Sequence, residues 1–454
     1  MLINRDIEVG SHTKFQKPTI ALLPWGHVWE DFLDSIGVSL ETFCEEGPGG
    51  WMLGYMHALR LAGVRTVLVL ISSRTSQPMR FQHKATGATI LVLPVSKSYL
   101  AIRRHMIAPY PSFGGSVEKL FGNVRGARRI LFKVCKEIAP YLTTPLGLLT
   151  RELKQEGCCA IFCQEYEYFR FDACTLLGQW LHLPVFASFQ GTSSDASPIA
   201  RLVRPLTMQS CTGLVIGPEA EIKRVRSRYT LPDAKIAQIF NPIDLDLWKP
   251  IDRNEARAVL DLPTDAHIVV WHGRVEIQTK GLDVLLEAWE QVCRERPEQN
   301  LRLLLIGMGT DAEKLRQRLA ALPNQNVVWI DHYADRLTIR CALSAGDVYA
   351  FPSRVEGFPV APIEAMACGL PIVAAQASGI PDIVKDGEAS GGIVVPCGDS
   401  VTFASALGHL LDSETLRQEW GERARQRVAE HFSLEVVGKQ LRDFLLQEKT
   451  RQIE

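Results

Sequence analysis

The run HIVVWHGRVEIQTKGLDVLLEAWEQVCRERPEQNLRLLLIG, residues 267–307, decides the fold. It opens on a short apolar run closing at Gly273, continues as a longer amphipathic run from Gly281 to Glu295, and returns to an apolar run from Leu301 to Gly307. Strand-length apolar runs separated by an amphipathic helix are the pattern of a parallel sheet whose crossovers are helical.

The alternation extends in both directions. Upstream come PTIALLP, GGWMLGYMHALRLAG, RTVLVLIS and GATILVLPV, then CCAIFCQEY, FDACTLLGQWLHLP, PVFASFQG, TGLVIG and KIAQIF, which complete a first unit by residue 241. The segment NPIDLDLWKPIDRNEARAVLDLP carries Pro and charge without a long apolar stripe and reads as a linker. Downstream, DAEKLRQRLAAL, NVVWI, DVYAFP, PVAPIEAMAC and PIVAA continue the second unit, and three helical runs close the chain. The expected fold class is α/β, with two doubly wound Rossmann-like domains facing a cleft. Residues 1–245 form the first domain, 246–430 the second, and 431–454 a closing helix that packs back on the first.

Composition narrows the function. A chain of 454 residues with 46% hydrophobic and 22% charged residues has the make-up of a globular protein with a substantial core. Fifty Lys plus Arg against 51 Asp plus Glu gives no global charge that would attract nucleic acid. The eleven cysteines are scattered, and Cys158, Cys159 and Cys163 lack a second pair at zinc-finger spacing, so reduced thiols are expected. No apolar run approaches the ~18–20 residues of a membrane span, and MLINRDIEVGSHTKF has no apolar segment behind its charges. A cytoplasmic protein is expected, at most attached to the inner face of a membrane.

Open parallel sheets bind ligands at the carboxyl ends of their strands. Gly47, Gly49 and Gly50 in GPGGWMLGYMHAL open a helix, where exposed N–H groups favour an anion, although simple turn chemistry reads the same way. Arg274 and Lys280 follow a strand and suit a diphosphate; a solvated loop also carries such residues. Gly307 and Gly309 permit close backbone approach at the next strand end. In EGFPVAPIEAMACG, residues 356–369, Glu356 lies in a Gly-Pro loop and Glu364, seven residues intervening, lies in the first turns of a helix. Glu364 could simply complement the helix dipole. The pair together suits a polyhydroxylated ligand carrying a diphosphate, because carboxylates accept from hydroxyls while amides and cations hold phosphates.

EGFPVAPIEAMACGLPIVAA, preceded by FPS and followed by SGIPDIV, resembles the E-x7-E motif of the retaining family-four (group 1) glycosyltransferases with the GT-B fold. GPGG, FNPIDLDLWKP, GRVEIQTKGLDVLLEA and IGMGTDAEKLRQRL occur in that family's order, and the resemblance is strongest over residues 238–400. It implies a first domain on the acceptor side and a second that binds a nucleotide sugar. By this resemblance Arg274 and Lys280 bind the donor diphosphate, with Gly49, Gly50 and Gly307 also on the donor side. Glu364 then reads the ribose, and Glu356, with Gly357, Phe358 and Pro359, holds the transferred sugar.

Two departures stand out. Where the family carries a histidine in a VHG-like segment, this chain reads SFQG, with Gln190 before Gly191, and a glutamine is neither acid nor base. One additional residue separates Arg274 from Lys280. Glu165, near Gln164 and Glu167 at another strand end, joins Gln190 and Gly191 as an acceptor-side candidate; a solvated loop is the plainer reading.

The resemblance implies a retaining hexosyl transfer from a UDP- or GDP-sugar to a hydroxyl acceptor, with a lipid-linked or cell-envelope glycan among the acceptors. No metal and no cofactor beyond the donor substrate is expected, and no nucleic-acid partner. The alternatives are a nucleotide-sugar sensor without catalysis, suggested by Gln190, and a GT-B epimerase or hydrolase. Residues 101–155 hold ten Lys or Arg against three Asp or Glu, interleaved with apolar residues. Reversible attachment to an anionic membrane through residues 101–136 is therefore expected, a solvated helix face being the alternative.

Overall fold

The computed structural model describes residues 17–46, 50–107, 116–191, 197–322, 326–331 and 335–451. Two sheets account for the strands. The first comprises β1 (Thr19–Leu23), β2 (Arg65–Ser72), β3 (Met79–Gln82), β4 (Thr89–Pro94), β5 (Cys158–Gln164), β6 (Val185–Ser188), β7 (Gly213–Val215) and β8 (Ile236–Ala237), in the order β3-β4-β2-β1-β5-β6-β7-β8. The second comprises β9 (His267–His272), β10 (Leu301–Ile306), β11 (Val327–Ile330), β12 (Val348–Phe351), β13 (Ile372–Ala375) and β14 (Gly392–Val395), in the order β11-β10-β9-β12-β13-β14.

Every pairing is parallel except β3 with β4, an edge strand that the sequence pattern did not reveal because MRFQ is mostly exposed. The parallel strands are apolar on both faces, as a sheet covered by helices on each side requires. In β9, Ile268 and Val270 enter one core layer while Val269 and Trp271 enter the other. In β1, Ile20 and Leu22 are divided from Ala21 and Leu23 in the same way. The strand order reverses between β1 and β5 in the first sheet and between β9 and β12 in the second. Each reversal opens a crevice at the carboxyl end of the sheet.

The segment read as a linker is more structured than its composition suggests. Trp248 is buried in the second domain's core, Arg253–Val259 is a helix capped by Asp252, and the buried Arg257 guanidinium donates to Asp347 at 2.8 Å. The chain crosses between the domains near Ile243 and again after Phe432. The two crossings are hydrogen bonded to each other, Ile243 N to Phe432 O at 2.7 Å and Leu434 N to Ile243 O at 3.1 Å. After the second crossing, the helix Leu434–Arg451 packs on the helix Gly50–Leu61, and Val437, Leu441, Phe444 and Leu445 join the first domain's core.

Candidate functional site

In the second domain the loops at the β9 and β12 ends face each other across the switch point. After His272, Glu276 N bonds Arg274 O at 2.9 Å, and a single helical turn, Ile277–Lys280, follows. Asp311 fixes that turn by accepting from Ile277 N at 3.0 Å. The β12 loop is tied to it: Arg354 N donates to Thr279 O at 3.0 Å, and the Arg354 guanidinium grips both oxygens of Asp283 at 2.7 and 2.9 Å.

These ties bring Lys280 Nζ to 2.7 Å from Glu356 Oε1, both side chains largely enclosed. Arg274 points outward, its side chain 72% exposed, and pairs with Glu276 at 3.1 Å. Glu364, on the helix Ala361–Ala367, accepts from His272 Nε2 at 2.9 Å. His272 is the buried last residue of β9, a site residue that sequence reasoning missed. Its only local sign was a polar residue ending an apolar run. Beneath the two carboxylates lies Tyr349, whose hydroxyl donates to His272 O at 3.4 Å. Burial, and then the charges of Glu364 and Glu356, push that hydroxyl well above its ordinary range, so it stays neutral.

Gly307 serves the floor of this site. At φ +128°, a Cβ there would sit 2.0 Å from Gly273 O, so only glycine allows the β10 loop to lie on the β9 loop. Gly357 makes the matching approach across the cleft, its added Cβ falling 2.2 Å from Gly191 Cα. Phe358 is buried at the domain boundary, stacked on Phe240 with centroids 5.2 Å apart and packed against Gly217. Pro359 lies beside it against Gly379. The interface is completed by Asp382, which accepts from Glu219 N at 3.2 Å and Gln238 Nε2 at 3.0 Å.

On the first domain, Glu165 is buried rather than solvated and holds φ +102°, a left-handed conformation uncommon for a residue with a side chain. Its carboxylate accepts from Glu167 N at 3.0 Å and Gln190 N at 3.1 Å, stitching the β5 and β6 loops together. Gln190 Nε2 donates to Ser188 Oγ at 3.0 Å, and the Gln190 side chain also hydrogen-bonds Tyr55. Tyr55 in turn donates to Asn241 Oδ1 at 2.8 Å. Gln190 is thereby connected, through the helix Gly50–Leu61, to the interdomain crossing. Gly50 is the first residue of that helix, whereas Gly47 and Gly49 lie outside the described residues. At the β1 end, Arg170 holds the loop by donating to Pro24 O and to Gly26 O. Among the described residues, no group of three His, Cys, Asp or Glu is arranged to hold a metal ion.

The site lies at two facing switch points, and known proteins resemble the chain around it. Residues 252–427 match the family described as "Glycosyl transferases group 1". Over these residues the chain is similar to the group 1 glycosyltransferases. It is 29% identical over 246 residues to D-inositol 3-phosphate glycosyltransferase 2 of Catenulispora acidiphila, covering 52% of this chain and 56% of that protein. It is 30% identical over 253 residues to a GDP-mannose-dependent monoacylated alpha-(1-6)-phosphatidylinositol monomannoside mannosyltransferase of Corynebacterium glutamicum, covering 51% of this chain and 64% of that one. The chain thus matches these relatives over little more than half of their length. Among solved structures, Anabaena HepE in complex with UDP superposes with a TM-score of 0.66 at 15% identity, covering 95% of this chain and 100% of that one. Sucrose-phosphate synthase from Thermosynechococcus elongatus gives a TM-score of 0.63 at 18% identity, covering 96% and 99%. At these identities the likeness establishes the fold, two Rossmann-like domains in the GT-B arrangement.

Proposed function

We propose that this protein is a glycosyltransferase that moves a hexosyl group from a nucleoside-diphosphate sugar to a hydroxyl acceptor with retention of anomeric configuration. The observation that carries the reading is the Lys280–Glu356 pair at the β9/β12 switch point, 2.7 Å apart and next to the Gly357–Gly191 approach. A cation and a carboxylate so placed can serve the two ends of one donor. Lys280, with Arg274, meets the diphosphate, and Glu356 accepts from hydroxyls of the sugar. Glu364, oriented by His272, accepts from the ribose.

As the glycosidic bond breaks, negative charge grows on the β-phosphate. A preorganised ammonium stabilises that state more than the ground state, which is the part of binding that accelerates a reaction. Gln190 cannot take the acceptor's proton. The departing phosphate oxygen is then the base at hand, with the acceptor attacking from the face the leaving group vacates. The names of the relatives support a nucleotide-sugar donor, one being GDP-mannose-dependent and HepE having been crystallised with UDP. They also support an acceptor of the inositol-phosphate or lipid-linked kind.

The test is incubation with a panel of UDP- and GDP-sugars, with and without inositol phosphates or lipid extract, measuring nucleoside diphosphate release. Release that requires an acceptor is expected. Release without one would make the protein a hydrolase, and binding without release a sensor, the role Gln190 favours. NMR of the product from an α-linked donor should show an α-linkage; a β-linkage would refute retention.

A further inference from the structure

Among the described residues, four helical segments lie between β4 and β5, and one of them, Ala127–Leu142, packs against the later helices Phe169–Leu181 and Pro198–Ser210. A buried polar knot joins these three. Asp172 accepts from Arg204 Nε at 2.8 Å and Nη2 at 2.9 Å, from Thr207 at 2.5 Å and from the Tyr141 hydroxyl at 3.3 Å. Glu167 adds a second carboxylate to Arg204 at 3.1 Å. Each helix is therefore fixed in rotation, and what its outer side presents is set by the fold.

That outer side is apolar. Ile130, Val134 and Ile138 recur at four-residue spacing with Leu131 beside them, Leu176 and Trp180 repeat the spacing, and so do Leu202 and Leu206. Ile130 is 70% exposed, Trp180 72% and Leu202 76%. The core does not account for them: the inward side of Ala127–Leu142 is already occupied by Ala139 and by Phe132, which stacks on Phe121 at 4.5 Å. An exposed apolar patch drawn from three helices marks an interaction surface.

The charge around it selects the partner. The exposed charges on these helices include Arg128, Lys133 and Arg201, with Arg129 paired to Glu118 of a neighbouring helix at 2.9 Å, while the acids are Glu137 and the buried Asp172. Large apolar side chains with cations beside them suit a surface that is hydrocarbon inside and anionic outside. Among the described residues no helix is long and apolar enough to cross a membrane. We infer that the joint outer face of Ala127–Leu142, Phe169–Leu181 and Pro198–Ser210 is a seat on an anionic lipid bilayer, the apolar rows entering the headgroup boundary and the basic residues meeting lipid phosphates. The charge-rich stretch 101–136 supplies only part of this seat; two helices with little charge supply the rest. Both begin beyond the Glu165 and Gln190 loops, and their exposed apolar residues lie farther along, Leu176 and Trp180 within the last two turns of Phe169–Leu181. The seat itself does not rest on the transferase reading.

The test is co-sedimentation with phosphatidylcholine vesicles, with and without phosphatidylglycerol, at about 0.1 M and about 1 M salt, between which the Debye length falls from ~10 to ~3 Å. The protein should pellet with anionic vesicles at low salt and largely detach at high salt. Trp180→Glu with Leu206→Glu should weaken binding at least about tenfold, and Arg128→Glu with Lys133→Glu by about fivefold or more per charge. Lys314→Glu on the second domain should leave binding unchanged. Melting curves matching wild type would show that the variants fold. Indifference of wild type to anionic vesicles, or binding that survives both double variants, overturns the proposal. So does a wild-type dimer that Trp180→Glu with Leu206→Glu converts to monomer in the absence of any vesicle binding, since the face is then a contact between protein copies. No donor is present in this assay, so vesicle binding by a protein that transfers no sugar would refute the transferase reading alone.

Discussion

Gly357 and Gly191 bring the two domains into backbone contact: a Cβ on the first would lie 2.2 Å from the Cα of the second, and a Cβ on Gly191 would lie 2.5 Å from the Cα of Gly357. Gly357 follows Glu356, and Gly191 follows Gln190. The contact therefore registers the β12 loop of one domain on the β6 loop of the other. Gly357→Ala should force these loops apart, at an overpacking cost of about 1–3 kcal/mol borne by the closed arrangement. The expected outcome is a fall in kcat/KM of about tenfold or more with a nearly unchanged melting temperature, because neither sheet is disturbed. A variant with normal kinetics would show that this approach is not part of the working state.

Lys280 and Glu356 partner each other, so their substitutions should be coupled. Lys280→Ala should cost about 2–4 kcal/mol of transition-state stabilisation, and Arg274→Ala a loss on the same scale if its exposed side chain swings in to the diphosphate. Glu356→Ala should lower turnover more than it raises KM. Because the two side chains are in contact, the double variant Lys280→Ala with Glu356→Ala should lose less than the sum of the single variants. Additive losses would mean that the pair does not act as a unit on the donor.

Glu364 depends on His272 for its orientation, the two atoms being 2.9 Å apart. Glu364→Ala should chiefly weaken nucleotide binding, by about 1–3 kcal/mol, as expected for removing one partner of an enclosed hydrogen bond. His272→Ala should reproduce part of that loss without touching the ligand. Calorimetric titration with UDP and with GDP measures both. If His272→Ala binds as tightly as wild type, Glu364 is held by other contacts.

These residues differ in how legible they were. The alternation of apolar and amphipathic runs was enough to foresee two parallel sheets, because each βα unit is local in the chain. Glu356 and Glu364 were visible for the same reason, lying in one strand-loop-helix unit. His272 was hidden at the end of an apolar strand, and its partner Glu364 is 92 residues away. The link from Tyr55 to Asn241 spans 186 residues and leaves no periodicity to detect. Glu165 reads as one of several polar residues at a strand end; only its left-handed backbone and its two amide partners distinguish it from a solvated loop. The apolar rows on Phe169–Leu181 and Pro198–Ser210 look like ordinary core stripes in sequence, and only burial separates the two.

His27, in the loop that Arg170 holds at the end of β1, gives a pH dependence with a definite sign. Burial, then the positive charges of Arg170 and Arg103, lower its pKa from the ordinary 6.5 to about 3. Its Nε2 is buried without a hydrogen-bond partner among the described residues, and its ring stacks on Tyr99 with centroids 6.2 Å apart. The native protein therefore keeps this imidazole neutral where the unfolded chain would protonate it. Between pH 6.5 and about 3 the unfolded state binds more protons, so this group's contribution to stability falls as the pH falls through that window. By pH 5 the loss should reach about 2 kcal/mol. Neighbouring Asp31, whose pKa burial raises, acts in the opposite sense in the carboxylate range, so pH 5 is the place to read the effect of His27. His27→Phe retains a ring against Tyr99 and removes the titration. Urea denaturation at pH 7.5 and pH 5 should show the wild type losing about 2 kcal/mol more than this variant. Equal losses in the two proteins would mean that His27 is protonated in the folded state, and that the loop at the end of β1 is open to water.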